Sequence, residues 1–198
     1  ANYYEVPAGD TTAENGTWVD GPGTDFFEVL ARRFPCFAIV AEDLGANTPA
    51  VQELLDRFGF PGMKILLFAF GAELPGSAHA PHNYVPNLIC YTGTHDNNTA
   101  RGWFEEEASE EDKQRFFAYI GREVAADEVH RELVRLAMTS VARASITPMQ
   151  DLLGLGAAAR MNYPSTTSGN WEWRMTPVEF AGAPLEWLRN LTVLSGRG

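Results

Sequence analysis

Two short polar clusters each follow an apolar run, and each cluster contains a carboxylate. Asp96 lies in a Thr-His-Asp-Asn sequence directly after residues 87–91, and Glu42 lies in a Glu-Asp-Leu-Gly sequence directly after residues 37–41. The carboxyl end of a buried strand in an α/β fold is rigid and opens to solvent, which suits reactive side chains. Two carboxylates presented in this way predict general acid–base chemistry, above all at a glycosidic bond.

Each of these residues also has a purely structural interpretation. Glu42 could be a solvated loop residue or a cap for the next helix, and Asp96 could be the N-cap of the helix that follows it. Asn97 can cap a helix equally well, so that helix does not require Asp96. His95 could donate a hydrogen bond to a ligand, or it could be a satisfied histidine of the core, which is the commoner role of a lone histidine.

The composition predicts one globular domain over residues 1–198. Hydrophobic residues make up 45% of the chain and aromatic residues 12%, which is enough for a sizeable core. The net charge of −11 repels phosphate backbones, so we expect no nucleic-acid partner. A neutral sugar would not be repelled, and aromatic side chains could stack on its rings, although core packing explains most of them.

Cysteine use and hydropathy predict a cytoplasmic protein without a membrane segment. Cys36 and Cys90 each lie in or beside an apolar run, so we expect both to be reduced core residues. No apolar run is long enough to span a bilayer. The chain does not begin with Met, and we expect it to be a fragment of a longer protein.

Apolar periodicity predicts strands that alternate with helices. Strands are expected at residues 37–41, 63–70, 88–91 and 144–147. Helices are expected at residues 24–33, 48–58, 98–107, 110–121, 126–144 and 184–194. A loop is expected at residues 1–23 and a Gly-rich, polar stretch at residues 152–174, and no hairpin is predicted. Continuous apolar strands predict a parallel sheet covered on both faces. A complete (β/α)8 barrel needs about 250 residues, so these elements amount to about half of one.

Two patterns imitate cofactor sites, and we reject both. His79 and His82 flank Pro81 without further metal ligands nearby in the sequence, so a zinc site is not expected. Residues 154–159 imitate a dinucleotide-binding turn, but residues 162–165 continue as loop where that motif needs a second strand. We therefore expect neither a metal nor a cofactor.

A series of short motifs then occurs in a fixed order along the chain. They are Ala-Glu-Asp-Leu-Gly at 41–45, Pro-Gly-Met-Lys at 61–64, Pro-His-Asn-Tyr at 81–84, Tyr-Thr-Gly-Thr-His-Asp-Asn at 91–97, Gln-Asp-Leu-Leu-Gly-Leu-Gly at 150–156, Arg-Met-Asn at 160–162 and Asn-Trp-Glu-Trp-Arg at 170–174. One motif alone would be a weak signal, but the ordered series is a strong one. Over essentially all of residues 1–180 the chain resembles the amylomaltases, the 4-α-glucanotransferases of glycoside hydrolase family 77.

The resemblance implies a (β/α)8 TIM barrel of the α-amylase type and a glycosyl-transfer reaction. Such an enzyme cuts an α-1,4 bond of a maltooligosaccharide or longer α-1,4-glucan and holds the glycosyl unit covalently. It then passes that unit to the 4-hydroxyl of an acceptor sugar such as glucose. The expected partners are therefore glucans.

The resemblance also implies roles for individual residues. Glu42 matches the position of the acid/base, and we expect it to be partly buried. Asp96 matches the aspartate that stabilises the transition state, with His95 beside it. The residues expected to bind substrate are His95, Asn97, Asn162 and Trp18. Loops that carry Trp18, Tyr84 or Trp171 are candidates for holding the acceptor and excluding water.

One motif of the family is missing from these 198 residues. The nucleophilic aspartate of the family lies in an Arg-(Ile/Leu)-Asp-His-Phe sequence just before a segment like Tyr3–Gly9, and Asp10, Asp20 and Asp25 lack that context. We therefore expect the second half of a barrel, strands 5 to 8, that is inactive alone. It should self-associate or pair with the missing N-terminal half. An α-amylase-type hydrolase and a non-catalytic glucan-binding fragment remain open alternatives.

Overall fold

The described residues form two compact units. The computed structural model describes residues 1–35, 38–45 and 48–198, and they divide into Ala1–Gly62 and Met63–Gly198. The expectation of a single domain over residues 1–198 stays a prediction.

The first unit opens with a β-hairpin that the sequence pattern does not predict. β1 (Asn2–Glu5) pairs antiparallel with β2 (Thr17–Asp20), and the rings of Tyr4 and Trp18 pack edge to face with centroids 5.2 Å apart. The loop predicted at residues 1–23 and the predicted absence of hairpins are therefore wrong. The strands are joined by a long loop, residues 6–16, and not by the two-residue turn that makes a hairpin recognisable in sequence.

Two helices complete the regular structure of the first unit. α1 spans Gly23–Arg33 and α2 spans Pro49–Phe58, close to the predicted bounds. α2 begins where the Thr48 hydroxyl accepts a hydrogen bond from the Val51 N–H, and it ends at Gly59, whose φ of +65° suits glycine. Sequence signals for helix ends are reliable here because they are local.

The strand predicted at residues 37–41 is not formed by its described part. Phe37 lies outside the described residues, and residues 38–41 are in no strand. The Ala41 N–H donates to the Pro61 carbonyl at 2.9 Å, so this segment runs beside residue 61. A strand needs a continuous ladder, which residues 38–41 do not make.

The second unit contains a three-stranded sheet. Its order is β3 (Gly62–Ile65), β4 (Leu88–Tyr91) and β5 (Ala144–Ile146), and β4 and β5 are parallel as predicted. The strand predicted at 63–70 is too long, because a 3₁₀ turn at Leu66–Phe68 follows β3. That turn contains buried leucines, so its apolar run looked like more strand.

Helices make up most of the other regular structure of the second unit. They are α3 (Ala100–Gly102), which continues as a π-helical turn (Trp103–Glu107), α4 (Glu110–Ile120), α5 (Val129–Thr139), α6 (Met149–Leu153), α7 (Pro177–Gly182) and α8 (Leu185–Leu194). Further 3₁₀ turns lie at Leu74–Gly76, Pro81–Asn83 and Ala157–Ala159. α5 is shorter than predicted at both ends, and α6 lies where no helix is predicted. Across the described ranges, none of the helices has the length and apolar character needed to cross a bilayer.

The core of the second unit lies between the sheet and its helices. Phe70 and Phe116 are fully buried and pack edge to face at 5.0 Å. Cys90 is buried on β4 and is a free thiol, as expected, and burial raises its pKa to about 11. Cys36 lies outside the described residues. A second cluster joins α5 to α8 through Val134, Met138 and Leu191.

Leu191 and Leu194 on α8 provide a matched test of this cluster. Leu191 is 7% exposed and Leu194 is 81% exposed. We expect Leu191→Ala to lower the free energy of unfolding by about 2–5 kcal/mol, because it leaves a cavity against α5. Leu194→Ala should change it by less than about 0.5 kcal/mol. Urea denaturation followed by circular dichroism measures both, and equal effects would contradict the assigned packing.

Candidate active site

A buried carboxylate joins the three segments that surround the site. Asp151, at the start of α6, is 1% exposed. Its Oδ2 accepts from the Thr92 hydroxyl at 2.5 Å, directly after β4, and its Oδ1 accepts from the Ala100 N–H at 2.7 Å, at the start of α3. Burial raises the pKa of Asp151 above its ordinary value, although both hydrogen bonds act in the opposite direction.

The chain between these anchors forms a tight polar turn. Asn97 Oδ1 accepts from both the N–H and the hydroxyl of Thr94, each at 2.9 Å. The following helix is capped by Thr99, whose hydroxyl accepts from the Gly102 N–H at 3.0 Å. Capping therefore explains neither Asp96 nor Asn97, and the N-cap interpretation of Asp96 is wrong.

Asp96 meets a residue that is 66 positions away in sequence. The Asn162 side-chain amide donates to Asp96 Oδ1 at 2.6 Å, and the Asn162 N–H donates to the His95 carbonyl at 3.0 Å. His95 Nε2 lies 3.4 Å from the same Asp96 oxygen. The side chains of His95 and Asp96 are 55% and 48% exposed, so His95 is not a core histidine and the carboxylate is open to a ligand.

Arg160 forms hydrogen bonds to the main chain of both Asp96 and Asn162. Its guanidinium donates to the Asp96 carbonyl at 2.8 Å, to the Asn162 carbonyl at 2.9 Å and to Glu107 Oε1 at 2.9 Å. The guanidinium also lies 4.6 Å from the centroid of the Tyr163 ring. The sequence motif contains Arg160, but residue type alone gave no reason to assign it to the site.

Trp171 covers one side of the site in an unusual backbone conformation. Its φ is +63°, which is rare for a bulky residue and is typical of functional positions. Its N–H donates to the Met161 carbonyl at 2.6 Å, and its ring lies 5.1 Å from the His95 ring. The cavity beside it has a volume of about 220 Å³. Its lining includes Thr94, His95, Gln150, Arg160, Met161 and Trp171.

Two of the expected site residues belong to the first unit. Glu42 is exposed, so the expected partial burial is wrong. The neighbouring Asp43 carboxylate lies so close to Gly62 that a Cβ there would stand 2.6 Å from Asp43 Oδ2, which explains the glycine. Trp18 is 71% exposed, and its ring touches Tyr4. The second unit brings the remaining expected site residues together: His95, Asp96, Asn97 and Asn162.

Two other residues singled out in the sequence have structural roles. Tyr84 is 9% exposed, and its hydroxyl donates to the His79 carbonyl at 2.8 Å, so it is not available to stack on a sugar. His79 Nδ1 accepts from the Ile65 N–H at 3.1 Å. Within residues 1–35, 38–45 and 48–198, no group of three or more His, Cys, Asp or Glu side chains could hold a metal ion.

Sequence comparison identifies relatives of this chain. The family model described as 4-alpha-glucanotransferase, glycoside hydrolase family 77, matches residues 1–179. The chain is 47% identical over 198 residues to a 4-alpha-glucanotransferase of Synechocystis, covering 99% of the chain and 39% of the relative. It is 44% identical over 191 residues to that of Thermus thermophilus, covering 90% and 37%. The chain thus spans about two fifths of the length of the curated relatives it matches.

Solved structures agree with the sequence relatives. The amylomaltase of Streptococcus agalactiae in complex with acarbose superposes with a TM-score of 0.93 at 36% identity, over 100% of this chain and 40% of that one. The amylomaltase of Corynebacterium glutamicum has a TM-score of 0.68 at 19% identity, over 86% and 29%, and supports the fold alone. The chain therefore has the fold of part of a TIM-barrel-type amylomaltase.

The raised pKa of Asp151 makes a signed prediction for stability. The folded state holds this proton more tightly than the unfolded state, so Asp151 costs stability as pH rises above the ordinary Asp value of 3.8. Asn at this position keeps an acceptor for Ala100 and carries no charge. The free energy of unfolding of Asp151→Asn minus that of the parent should therefore increase from about pH 4 to about pH 8.

Urea denaturation at several pH values measures this difference. Leu194→Ala on α8 gives the control, because it removes no titratable group and should show a nearly constant difference over the same range. If the difference for Asp151→Asn were also constant, the pKa of Asp151 would not be raised in the folded state.

Proposed function

This chain belongs to the 4-alpha-glucanotransferases of glycoside hydrolase family 77, and from that premise we propose that it supplies part of an α-1,4-glucan transfer site. The contact between Asp96 and Asn162 carries the proposal. Each residue comes from a different motif of the family series, and they meet at 2.6 Å beside an open cavity. A carboxylate held by an amide, with an imidazole beside it, suits recognition of sugar hydroxyls and of positive charge at an anomeric carbon.

We propose a retaining double displacement in which Glu42 and Asp96 have separate roles. Glu42 protonates the leaving glycosidic oxygen and then takes the proton of the acceptor 4-hydroxyl. Asp96 stays ionised and binds hydroxyls of the distorted ring most strongly in the transition state. A nucleophilic carboxylate must lie about 5–5.5 Å from the acid/base, and none of the family motifs in this chain supplies it.

The residues proposed to contact substrate are His95, Asn97, Asn162 and Trp18. The exposed ring of Trp171 offers an apolar face beside the cavity. The Streptococcus agalactiae amylomaltase was solved with acarbose, which makes acarbose a suitable probe for this chain. The proposed natural ligands are maltooligosaccharides, with glucose as an acceptor.

We propose that the chain corresponds to strands 5 to 8 of the barrel. In that assignment β3, β4 and β5 would be strands 6 to 8. Their spatial order and the parallel pairing of β4 with β5 support this assignment. A lone half-barrel would expose sheet edges, so we propose that it associates with a second copy or with a complementary half. A cytoplasmic location is also proposed, although the potato relative is chloroplastic or amyloplastic by name.

A chimaera tests the proposed activity directly. These 198 residues would replace the matching segment of the Synechocystis relative, and maltotriose would be the substrate. We expect longer oligosaccharides among the products, whereas a hydrolase would give only glucose and maltose. Asp96→Asn in the chimaera should lower kcat about 10²–10³-fold. Glu42→Gln should lower it about 10²–10⁴-fold.

Exposed carboxylates from each unit serve as controls. Asp25→Asn and Glu123→Gln should leave the transfer rate of the chimaera unchanged, because neither belongs to a family motif. A folded chimaera that only hydrolyses maltotriose would refute glucan transfer. Full activity in Asp96→Asn would refute the assigned role of that residue.

The 198-residue chain assayed alone should not turn over maltotriose. The physical reason is the missing nucleophile, since Glu42 and Asp96 alone cannot hold a glycosyl unit covalently. Chromatography of products after prolonged incubation measures this. Transfer at the rate of the chimaera would contradict the assignment of the nucleophile to a motif that this chain does not contain.

A further inference from the structure

We propose that Arg160, held by Glu107, is the positioning residue that sets the Asp96 carboxylate for glucan transfer. The proposal rests on the function proposed above and assigns a role to two residues that touch no reacting atom. It follows from three contacts of one guanidinium and from the unusual helical turn that presents its partner.

The guanidinium of Arg160 fixes two backbones at once. Its Nη2 donates to the Asp96 carbonyl at 2.8 Å, and its Nε donates to the Asn162 carbonyl at 2.9 Å. A planar, rigid fork with several donors holds these two carbonyls at a set separation. The side-chain contact between Asp96 and Asn162 at 2.6 Å depends on that separation. Arg160 therefore acts on the carboxylate through the main chain.

Glu107 orients this fork from its other side. Its Oε1 accepts from Arg160 Nη1 at 2.9 Å and from the Asn98 side-chain amide at 3.1 Å. The Arg160 side chain is 15% exposed and the Glu107 side chain is 44% exposed, so solvent reaches this ion pair from the Glu107 side, while the Asn98 amide that shares Glu107 Oε1 belongs to a buried residue. Gly102 is required beside it, because a Cβ there would stand 2.2 Å from Asn98 Oδ1.

A π-helical turn brings Glu107 to this position. Residues Trp103–Glu107 form the turn, and the Ala108 N–H donates to the Trp103 carbonyl at 2.8 Å, five residues back. The turn contains one residue more than an α-helical turn, and π turns often mark functional sites. Without that residue, position 107 would rotate by about 100° around the helix axis and turn away from Arg160.

The same helical segment contains a matched control pair. Arg101 Nε donates to Glu105 Oε1 at 2.8 Å, with side chains 38% and 34% exposed. This pair has the same chemistry and lies in the same helical segment, but its hydrogen bond involves neither Asp96 nor Asn162. Loss of the Arg101–Glu105 pair therefore reports what helix stability alone contributes.

Steady-state kinetics of the chimaera distinguish a role of Arg160 in positioning Asp96 from a role in stabilising the fold. We expect Arg160→Ala to lower kcat about 10–100-fold and to change KM less than about threefold. The reason is that a shift of the Asp96 carboxylate by up to about 1 Å mainly weakens its interactions with the transition state. Arg160→Lys should not restore kcat, since an ammonium group does not span two carbonyls. Glu107→Gln keeps the acceptor oxygen and should restore most of the activity that Glu107→Ala loses.

Nuclear magnetic resonance on the 198-residue chain reports the geometry without turnover. The Asn162 side-chain amide proton that binds Asp96 should shift upfield in Arg160→Ala and Glu107→Ala, and it should stay in place in Arg101→Ala. Thermal unfolding of each variant shows whether it remains folded.

The outcomes separate the two proposals. If the chimaera transfers glucan and Arg160→Ala behaves as Arg101→Ala does in kcat and in the amide resonance, the positioning role is overturned. If the parent chimaera transfers no glucan, the proposed function fails. If the Asn162 amide resonance still shifts in Arg160→Ala and Glu107→Ala, Arg160 nevertheless positions Asp96 in the folded chain. A raised KM with unchanged kcat would also overturn positioning, because it would indicate ground-state binding.

Discussion

The site depends on one buried carboxylate, that of Asp151. Asp151 is buried where β4, α3 and α6 meet, and it accepts hydrogen bonds from the first two of these segments. Placing a carboxyl group there is costly, and only well-formed hydrogen bonds offset that cost. The turn that carries Asp96 lies between Thr92 and Ala100, the two donors. Asp151 therefore holds both ends of the segment that contains Asp96.

Asp96 and Asp151 illustrate how environment separates two identical side chains. Asp96 is about half exposed and is held at one oxygen by Asn162, so its other oxygen is not occupied by that contact. Asp151 uses both oxygens within the protein, and burial raises its pKa. One side chain is about half exposed to solvent, and the other is held entirely within the protein. Residue type alone does not distinguish these roles.

The parts of the structure that follow local rules could be predicted from the sequence. The start and end of α2 depend on Thr48, Pro49 and Gly59, which are adjacent to the helix, and β4 is a short apolar run. The ordered motifs also predict that Asp96 and Asn162 belong to one site. The β1–β2 hairpin could not be predicted from local signals, because it depends on pairing between strands that a long loop separates. Arg160 was missed for a similar reason, since its role depends on where two distant carbonyls meet.

The π-helical turn at Trp103–Glu107 ties the chemistry of the site to the length of one segment. Thr99 and Ser109 cap two successive helical segments, and the π-helical turn lies between them. The chain between these caps therefore contains one residue more than it would if that turn were α-helical. In a relative whose sequence is one residue shorter there, the side chain at position 107 would point elsewhere even if every motif residue were kept. A single gap in an alignment would then be as informative about the site as the substitution of a catalytic residue.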